Sequence, residues 1–189
     1  LNKHFETILE LCKTKDIKLN LTTNGSFPRK TVKEWAKLIV PITSDIKVSI
    51  NGATKQTSEN VMQGSNFDKQ LQNIKSLIEY RNQYVEQSGY YCRITFQLTF
   101  LQNNMHELVD IVNLASKLGI DRIKGHHLWT HFPEIEKLSF KHSKSSIKKW
   151  NNIVEKAHKA QEIYRKPSGE KIIFENIYPL DFDENKENA

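Results

Sequence analysis

Uncharged hydrogen-bonding residues follow the predicted strands of this sequence where those strands end. They comprise Thr22, Thr23, Asn24 and Gly25, then Ser49, Asn51 and Gly52, then the segment 99–104, and finally Gly125, His126 and His127. In parallel α/β sheets and barrels, ligands bind at the carboxyl ends of the strands. Hydroxyl, amide and imidazole groups suit a polar organic ligand better than a divalent metal. Each position taken alone is also explained by turn formation, because Asn-Gly pairs are common in turns.

The histidines between Gly125 and His131 raise the question of a zinc site. Their spacing does not match a helical His-x-x-x-His site with its partner acid, and a loop can orient these rings in any direction. We therefore predict no metal ligand in this chain. A single histidine of this segment is instead expected to contact a bound ligand.

Composition excludes several classes of protein. The chain has 189 residues with 28 basic and 22 acidic side chains, a formal charge of +6, and is long enough for one hydrophobic core. No apolar run approaches the roughly 18 residues of a membrane helix, and nothing at the start is typical of a signal peptide. Cys12 and Cys92 cannot form a disulfide scaffold and suit a reducing compartment. We expect a cytoplasmic protein without a membrane partner.

Strands and helices alternate along the chain. Strands are predicted to begin near positions 17, 45, 93, 121 and 171, with helical patterns between them. Asn66 is placed to cap one helix, and Asn104 with Glu107 has the spacing of a capping box. This spacing favours parallel strands with helical crossovers, hence an α/β fold. The first helix follows no strand, so we predict a barrel or partial barrel whose first strands are missing.

Positive charge is concentrated near the carboxyl end. Between Lys137 and Lys166 there are nine basic residues and two acidic ones. Such a basic helix could bind nucleic acid or an acidic protein, or it could be the solvated outer face of a barrel helix. A metal-independent barrel lyase is a third possibility, and Lys124 is the lysine near a strand end that it would need. No nucleophile–base–acid arrangement stands out, so no catalytic residue is assigned.

Several strings at these strand ends carry a family resemblance. They are LNLTTNG (19–25), KVSINGAT (47–54), GSNFDKQLQNIKSL (64–77), RITFQLTFLQNNMHEL (93–108) and LASKLGIDRIKGHHL (114–128). In their order and spacing they resemble the radical SAM enzymes, in particular the branch with an auxiliary-cluster domain of the SPASM or twitch type. The resemblance covers roughly positions 1 to 130.

The resemblance implies a partial (β/α)₆ TIM-like barrel. In that family a C-x-x-x-C-x-x-C loop after the first strand holds a [4Fe-4S] cluster, and a GGEP-like motif after the second binds the methionine amine of S-adenosylmethionine. Neither motif occurs in this sequence. We therefore expect residues 1–180 to be a barrel core truncated at its N-terminus, residues 181–189 to be an acidic tail or linker, and the cluster loop to lie in upstream sequence. The chain by itself is expected to be inactive.

The resemblance also implies which residues bind the cofactor. They are Thr22, Thr23, Asn24, Ser49, Asn51, Gln97, Thr99, Asn104 and His126. Ser49 matches a position that commonly contacts the cofactor's ribose or carboxylate, and His126 and His127 would lie near the adenosyl group. The segment 63–67 departs from the family, because many relatives carry an arginine there.

The activity implied is reductive cleavage of S-adenosylmethionine to a 5′-deoxyadenosyl radical, which abstracts hydrogen from a substrate. Among relatives with an auxiliary-cluster domain, the commonest substrates are peptides and proteins. The electron would come from a reductant of the flavodoxin or ferredoxin type. The runner-up is a non-catalytic α/β module that binds nucleic acid or an acidic partner through the basic helix.

Overall fold

The computed structural model describes residues 2–141 and 143–182. Its helices are α1 Phe5–Thr14, α2 Val32–Ile39, α3 Lys55–Val61, α4 Phe67–Ser88, α5 Leu108–Leu118, α6 Pro133–Glu136 and α7 Lys144–Ile163. Its strands are β1 Leu19–Thr23, β2 Thr43–Ser49, β3 Arg93–Phe100, β4 Arg122–His127 and β5 Ile173–Glu175. Residues 183–189, most of the predicted acidic tail, lie outside the described residues.

The five strands form one parallel sheet in the order β1-β2-β3-β4-β5. Each strand pairs with its neighbour in sequence, and every connection between consecutive strands contains at least one helix. The predicted α/β fold with parallel strands is therefore confirmed. The predicted strand starts agree with the structure to within two residues.

Alternation along the strands separates an apolar face from a polar one. Ile46, Val48 and Ile50 on and after β2 are fully buried, and on β3 the even-numbered residues from 94 to 100 are buried. These side chains pack in one core with buried residues from the helices, including Leu77 of α4 and Trp150 of α7. Odd-numbered positions on β2 and β3 are largely polar. Because successive strand residues point to opposite faces, these polar residues share the face opposite the helices.

The predicted helix caps have mixed outcomes. The Asn66 side chain accepts a hydrogen bond from the Lys69 backbone N–H, as expected for the cap of α4. The predicted capping box at Asn104 and Glu107 is wrong, because neither side chain caps a helix there. Both side chains instead bind to other segments. No helix in the described residues, including the 22-residue α4, is both long and apolar enough to cross a membrane.

A buried charge cluster joins the amino ends of β3 and β4. The Asp121 carboxylate accepts hydrogen bonds from Arg81 Nη1 at 2.8 Å, Lys166 Nζ at 3.1 Å, the Tyr91 hydroxyl at 2.5 Å and the Ile94 backbone N–H at 2.8 Å. Burial raises the pKa of Asp121, but the Arg81 charge and the hydrogen bonds outweigh it and hold the pKa below its ordinary value. We call Asp121, Arg81, Tyr91 and Lys166 the Asp121 cluster.

Candidate functional site

Five of the nine predicted binding residues share the open, polar face of the sheet near its carboxyl edge. They are Thr22, Ser49, Gln97, Thr99 and His126, which lie on β1 to β4. Ser49 pairs with Gln97 and Thr99 with His126 in the strand register, so their side chains are neighbours. Thr22 and His126 are exposed, and the other three are partly exposed. The structure therefore brings hydroxyl, amide and imidazole groups together where a ligand can reach them.

Thr23 and Asn24 shape the turn after β1. Thr23 Oγ1 accepts a hydrogen bond from the Gly25 N–H at 3.1 Å, and Asn24 Oδ1 accepts from the Ser26 N–H at 3.0 Å and its hydroxyl at 2.7 Å. Gly25 has a φ of +77°, which favours glycine. A Cβ there would lie 2.8 Å from Gln70 Cγ, so the turn also needs glycine for space. Contact of Thr23 or Asn24 with a ligand stays a prediction.

Gln70, on the buried side of α4, holds the ends of β1 and β2 together. Its Nε2 donates hydrogen bonds to the Asn24 carbonyl at 2.7 Å and the Ser49 carbonyl at 2.9 Å. Asn73, one turn further along the helix, donates from Nδ2 to the Gly25 carbonyl at 2.8 Å. The sequence analysis missed both residues. Their signal was two amides on the apolar stripe of a helix, where the core would otherwise favour apolar side chains.

Asn51 and Asn104 join the ends of β2 and β3. Asn51 Oδ1 accepts from the Thr99 N–H at 2.8 Å, and Asn104 Nδ2 donates to the carbonyls of Asn51 and Thr99 at 3.1 and 2.9 Å. Asn104 Oδ1 also accepts from the Leu101 N–H at 2.8 Å, which explains why this side chain does not cap a helix. Both predicted binding residues thus support the strand ends through the backbone. Direct contact with a ligand stays a prediction for each.

Glu107 performs the corresponding role for the segment after β2. Its buried carboxylate accepts hydrogen bonds from the N–H groups of Ala53 and Thr54 at 2.6 and 3.2 Å, and from the hydroxyls of Thr54 and Thr57 at 2.6 and 2.7 Å. Burial raises the pKa of Glu107, but these hydrogen bonds outweigh it and lower the pKa below its ordinary value. The start of α3 is thereby fixed beside the strand ends.

Charged residues lie beside the five uncharged residues on the same sheet face. We call Asp45, Lys47, Arg122, Lys124 and Glu175 the sheet-face charge cluster. Arg122 bridges the two acids, with an ion pair to Asp45 and an Nη1–Glu175 Oε2 distance of 2.5 Å. Lys124 Nζ lies 2.5 Å from Glu175 Oε1, and Lys47 Nζ lies 3.5 Å from Asp45 Oδ2. The hydrogen bond from Lys124 and the charge of Arg122 lower the pKa of Glu175 despite partial burial.

The two adjacent histidines of β4 have opposite environments. His126 is exposed on the open face, as the binding prediction requires. His127 points to the helical side, where its ring lies between 5.4 and 5.8 Å from the rings of Phe100, Phe140, Trp150 and Tyr178. His127 therefore does not share the open face with the five predicted binding residues that lie there, and its nearness to the adenosyl group stays a prediction. Neither of its ring nitrogens has a hydrogen-bond partner in the described structure, and burial lowers its pKa to about 4.

The cysteines do not fit an iron–sulfur cluster. Cys12 lies on α1 and Cys92 lies just before β3, and both are buried. Burial raises the pKa of the Cys92 thiol to about 12, so this thiol is neutral in the chain as described. Among residues 2–141 and 143–182, no group of three or more histidine, cysteine and acidic side chains is arranged to hold a metal ion.

The basic residues of α7 lie on its outer side. Lys148, Lys149 and Lys156 are exposed, while the helix buries its apolar side against the core. Lys159 pairs with Glu155 at 2.6 Å along the helix. This arrangement is that of a solvated outer helix face. Binding of nucleic acid stays an untested alternative.

A groove of about 620 Å³ lies elsewhere, between the segment that leads into α2 and one side of α4. Lys30, Lys33 and Lys69 are among its lining residues. None of the nine predicted binding residues lines it. The candidate site therefore rests on the chemistry of the open sheet face rather than on the depth of this groove.

Comparison with known proteins shows which solved structures have a similar fold. No protein-family model matches the sequence, and a search of curated proteins gave no match. Three solved structures of SuiB from Streptococcus suis, a radical SAM enzyme, are similar at 14% sequence identity. The structure bound to S-adenosylmethionine has a TM-score of 0.63 over 92% of this chain and 35% of the SuiB chain.

The two other SuiB structures agree closely with the first. SuiB bound to the precursor peptide SuiA gives a TM-score of 0.62 over 92% of this chain and 36% of the SuiB chain. A further SuiB structure gives a TM-score of 0.64 over 91% of this chain and 36% of the SuiB chain. This chain has a radical SAM-like fold. It spans about a third of the SuiB chain.

Proposed function

We propose that this chain is part of the core of a radical SAM enzyme of the SPASM or twitch type and binds S-adenosylmethionine at the carboxyl ends of β1 to β4. The observation that carries the proposal is the shared open face of Thr22, Ser49, Gln97, Thr99 and His126. Its support is the fold likeness to SuiB, which has been solved with S-adenosylmethionine bound.

The donor set fits this cofactor chemically. Ser49 and Gln97 are register neighbours and would bind the ribose hydroxyls or the carboxylate of the methionine part. His126, beside Thr99, would lie near the adenosyl group. Within the described residues, Gln70 Oε1 is buried without a hydrogen-bond partner while its Nε2 holds the carbonyls of Asn24 and Ser49. An orphaned acceptor beside these strand ends is consistent with a site that a ligand or water completes.

The protein's own contribution is to hold and orient the cofactor. Gln70, Asn104 and Glu107 fix the loops after β1, β2 and β3 through hydrogen bonds already present in the chain. The side chains above the sheet face are thereby preorganised, so that binding costs little ordering of the loops.

In enzymes of this class, S-adenosylmethionine would supply the chemistry of hydrogen abstraction and a [4Fe-4S] cluster would supply the electron. The described residues do not fit such a cluster, since Cys12 and Cys92 are buried on separate elements. The proposal therefore requires cluster ligands other than the described residues, and a reductant of the flavodoxin or ferredoxin type. For the substrate we propose a peptide, because SuiB has been solved with its precursor peptide SuiA.

The test is a titration of the ¹⁵N-labelled chain with S-adenosylmethionine, followed by NMR. We expect saturable shifts of backbone amides at the carboxyl ends of β1 to β4. His126→Ala should weaken binding, whereas His4→Ala, which removes an exposed histidine at the start of α1, should not. The absence of saturable shifts, or shifts confined to α7, would contradict the proposal. Shifts confined to α7 would instead favour the alternative function, in which the basic helix binds nucleic acid or an acidic partner.

A further inference from the structure

The sheet-face charge cluster is not used by the proposed cofactor site. Its members lie on β2, β4 and β5, from Arg122 at the start of β4 to Glu175 at the end of β5, on the same face as Ser49 and Gln97. In the strand register, Lys124 pairs with both Gln97 and Glu175, so the cluster directly adjoins the cofactor-binding residues. The side chains of Lys47, Arg122 and Lys124 are 14 to 22% exposed, which leaves them within reach of a ligand.

The charges of the cluster do not balance. Lys47, Arg122 and Lys124 supply three positive charges, whereas Asp45 and Glu175 supply two negative ones. Asp45 is nearly fully buried, and one of its oxygens also accepts a hydrogen bond from Thr95 at 2.7 Å. Within the cluster one positive charge therefore remains uncompensated on a partly dehydrated surface, and the exposed Arg93, the register partner of Asp45, adds a further positive charge to this face. A ligand that covers this face must either bring an anion or pay the cost of burying that charge.

We propose that the sheet-face charge cluster binds an acidic side chain of the peptide substrate and so selects peptides that carry a carboxylate next to the reacting residue. The peptide class rests on the proposed function, and the acidic character rests on the charge count. The added carboxylate brings the cluster to three charges of each sign. Lys124 is its nearest partner on the site side, since it adjoins Gln97.

The structure favours a single carboxylate over a polyanion. The two acids of the cluster, Asp45 and Glu175, would repel successive phosphates of a nucleic acid. In the described strands this face carries no phenylalanine, tyrosine or tryptophan on which bases could stack, since the aromatic residues Phe96, Phe100 and Phe174 alternate onto the helical side.

The test uses the full 189-residue chain and two blocked pentapeptides that differ only in a central glutamate or glutamine. We expect the glutamate peptide to bind about three- to fivefold more tightly, as measured by NMR titration, with the largest shifts on β2 to β5. Lys124→Gln should remove most of this preference. Glu175→Gln should increase it, because the substitution removes a competing negative charge. A cluster that served only stability would not give opposite signs for these two substitutions.

Two controls keep the outcome decisive. Lys148→Gln on the outer side of α7 should leave the preference unchanged, and thermal denaturation should show that each variant is folded. Equal binding of the two peptides, shifts confined to α7, or equal effects of Lys124→Gln and Lys148→Gln would overturn the inference. Stronger competition by a single-stranded oligonucleotide at the same amides would also overturn it and favour a polyanion.

The same titrations separate this inference from the proposed function. S-adenosylmethionine binding should persist in Lys124→Gln, because the lysine is assigned to the substrate. A chain that selects the acidic peptide but does not bind S-adenosylmethionine would support the inference and contradict the cofactor proposal. A chain that binds S-adenosylmethionine but does not select the acidic peptide would support the cofactor proposal and contradict the inference.

Discussion

The two ends of the sheet carry polar networks with opposite properties. At the amino ends, Asp121 is surrounded by four donors, and Arg81, Asp121 and Lys166 are at most 9% exposed. On the open face toward the carboxyl ends, His126 is exposed and Lys124 remains partly accessible. A network that is closed and buried stabilises the fold but offers nothing to a ligand. An open network contributes less stability and leaves groups for binding.

The largest expected effect tests the closed network. Asp121→Asn leaves the buried charges of Arg81 and Lys166 without a carboxylate, so it should reduce the free energy of unfolding by about 3–5 kcal/mol. Urea denaturation measures this change. Asp68→Asn, which removes an exposed acid paired with Lys55, is the matched control and should cost less than about 1 kcal/mol. Similar losses for both variants would mean that the buried Asp121 cluster contributes no more stability than an exposed ion pair.

The next effect concerns His127 and pH. Its folded pKa of about 4 lies below the ordinary value of 6.5, so the unfolded chain binds the proton more tightly. Stability should therefore fall as pH decreases from about 6.5 toward 4, by up to about 3 kcal/mol. His127→Phe should flatten the stability profile in this window, because a phenylalanine suits the surrounding aromatic rings.

His126→Phe is the matched control for that prediction. It changes an exposed histidine of the same strand, so the decline of stability between pH 6.5 and 4 should remain. If both substitutions flatten the dependence of stability on pH, or if neither does, protonation of His127 is not the cause of the decline. The measurement is denaturant unfolding of the three proteins at several pH values.

An intermediate effect is expected at Glu107, which braces the site. Glu107→Gln replaces a carboxylate that accepts four hydrogen bonds and should reduce the free energy of unfolding by about 1.5–3 kcal/mol. Because the folded pKa of Glu107 is lowered, its contribution is present at neutral pH and lost as pH falls through that pKa. Hydrogen exchange should show faster opening of α3. Unchanged exchange in that helix would contradict the bracing role.

The smallest effect on stability is expected in the sheet-face charge cluster. Glu175 is 31% exposed, so Glu175→Gln should change the free energy of unfolding by less than about 1 kcal/mol. The same substitution should change the peptide preference, as stated above. A destabilisation as large as that of Asp121→Asn would make this cluster a second closed network and remove the contrast between the two regions.

Local patterns account for the parts of the fold and site that the sequence predicted. Asn66 caps α4 through the N–H group of a residue three positions away, a contact that depends only on neighbouring sequence. Thr22, Ser49, Thr99 and His126 lie close to strand ends, as predicted, because the apolar alternation that marks the strands depends on local sequence. The same reasoning failed for Asn104 and Glu107, whose spacing fits a capping box. Their actual partners are up to 54 positions away.

The sequence by itself determined the alternation of strands and helices and the polar character of the strand ends, because both follow from side-chain type and period. The tertiary structure decided which of those residues meet. Register placed Lys124 beside Glu175 and Gln97, and a single step along β4 separated the exposed His126 from the enclosed His127. Such outcomes depend on strand pairing between distant segments and on which face the helices cover. Neither is encoded in any one stretch of residues.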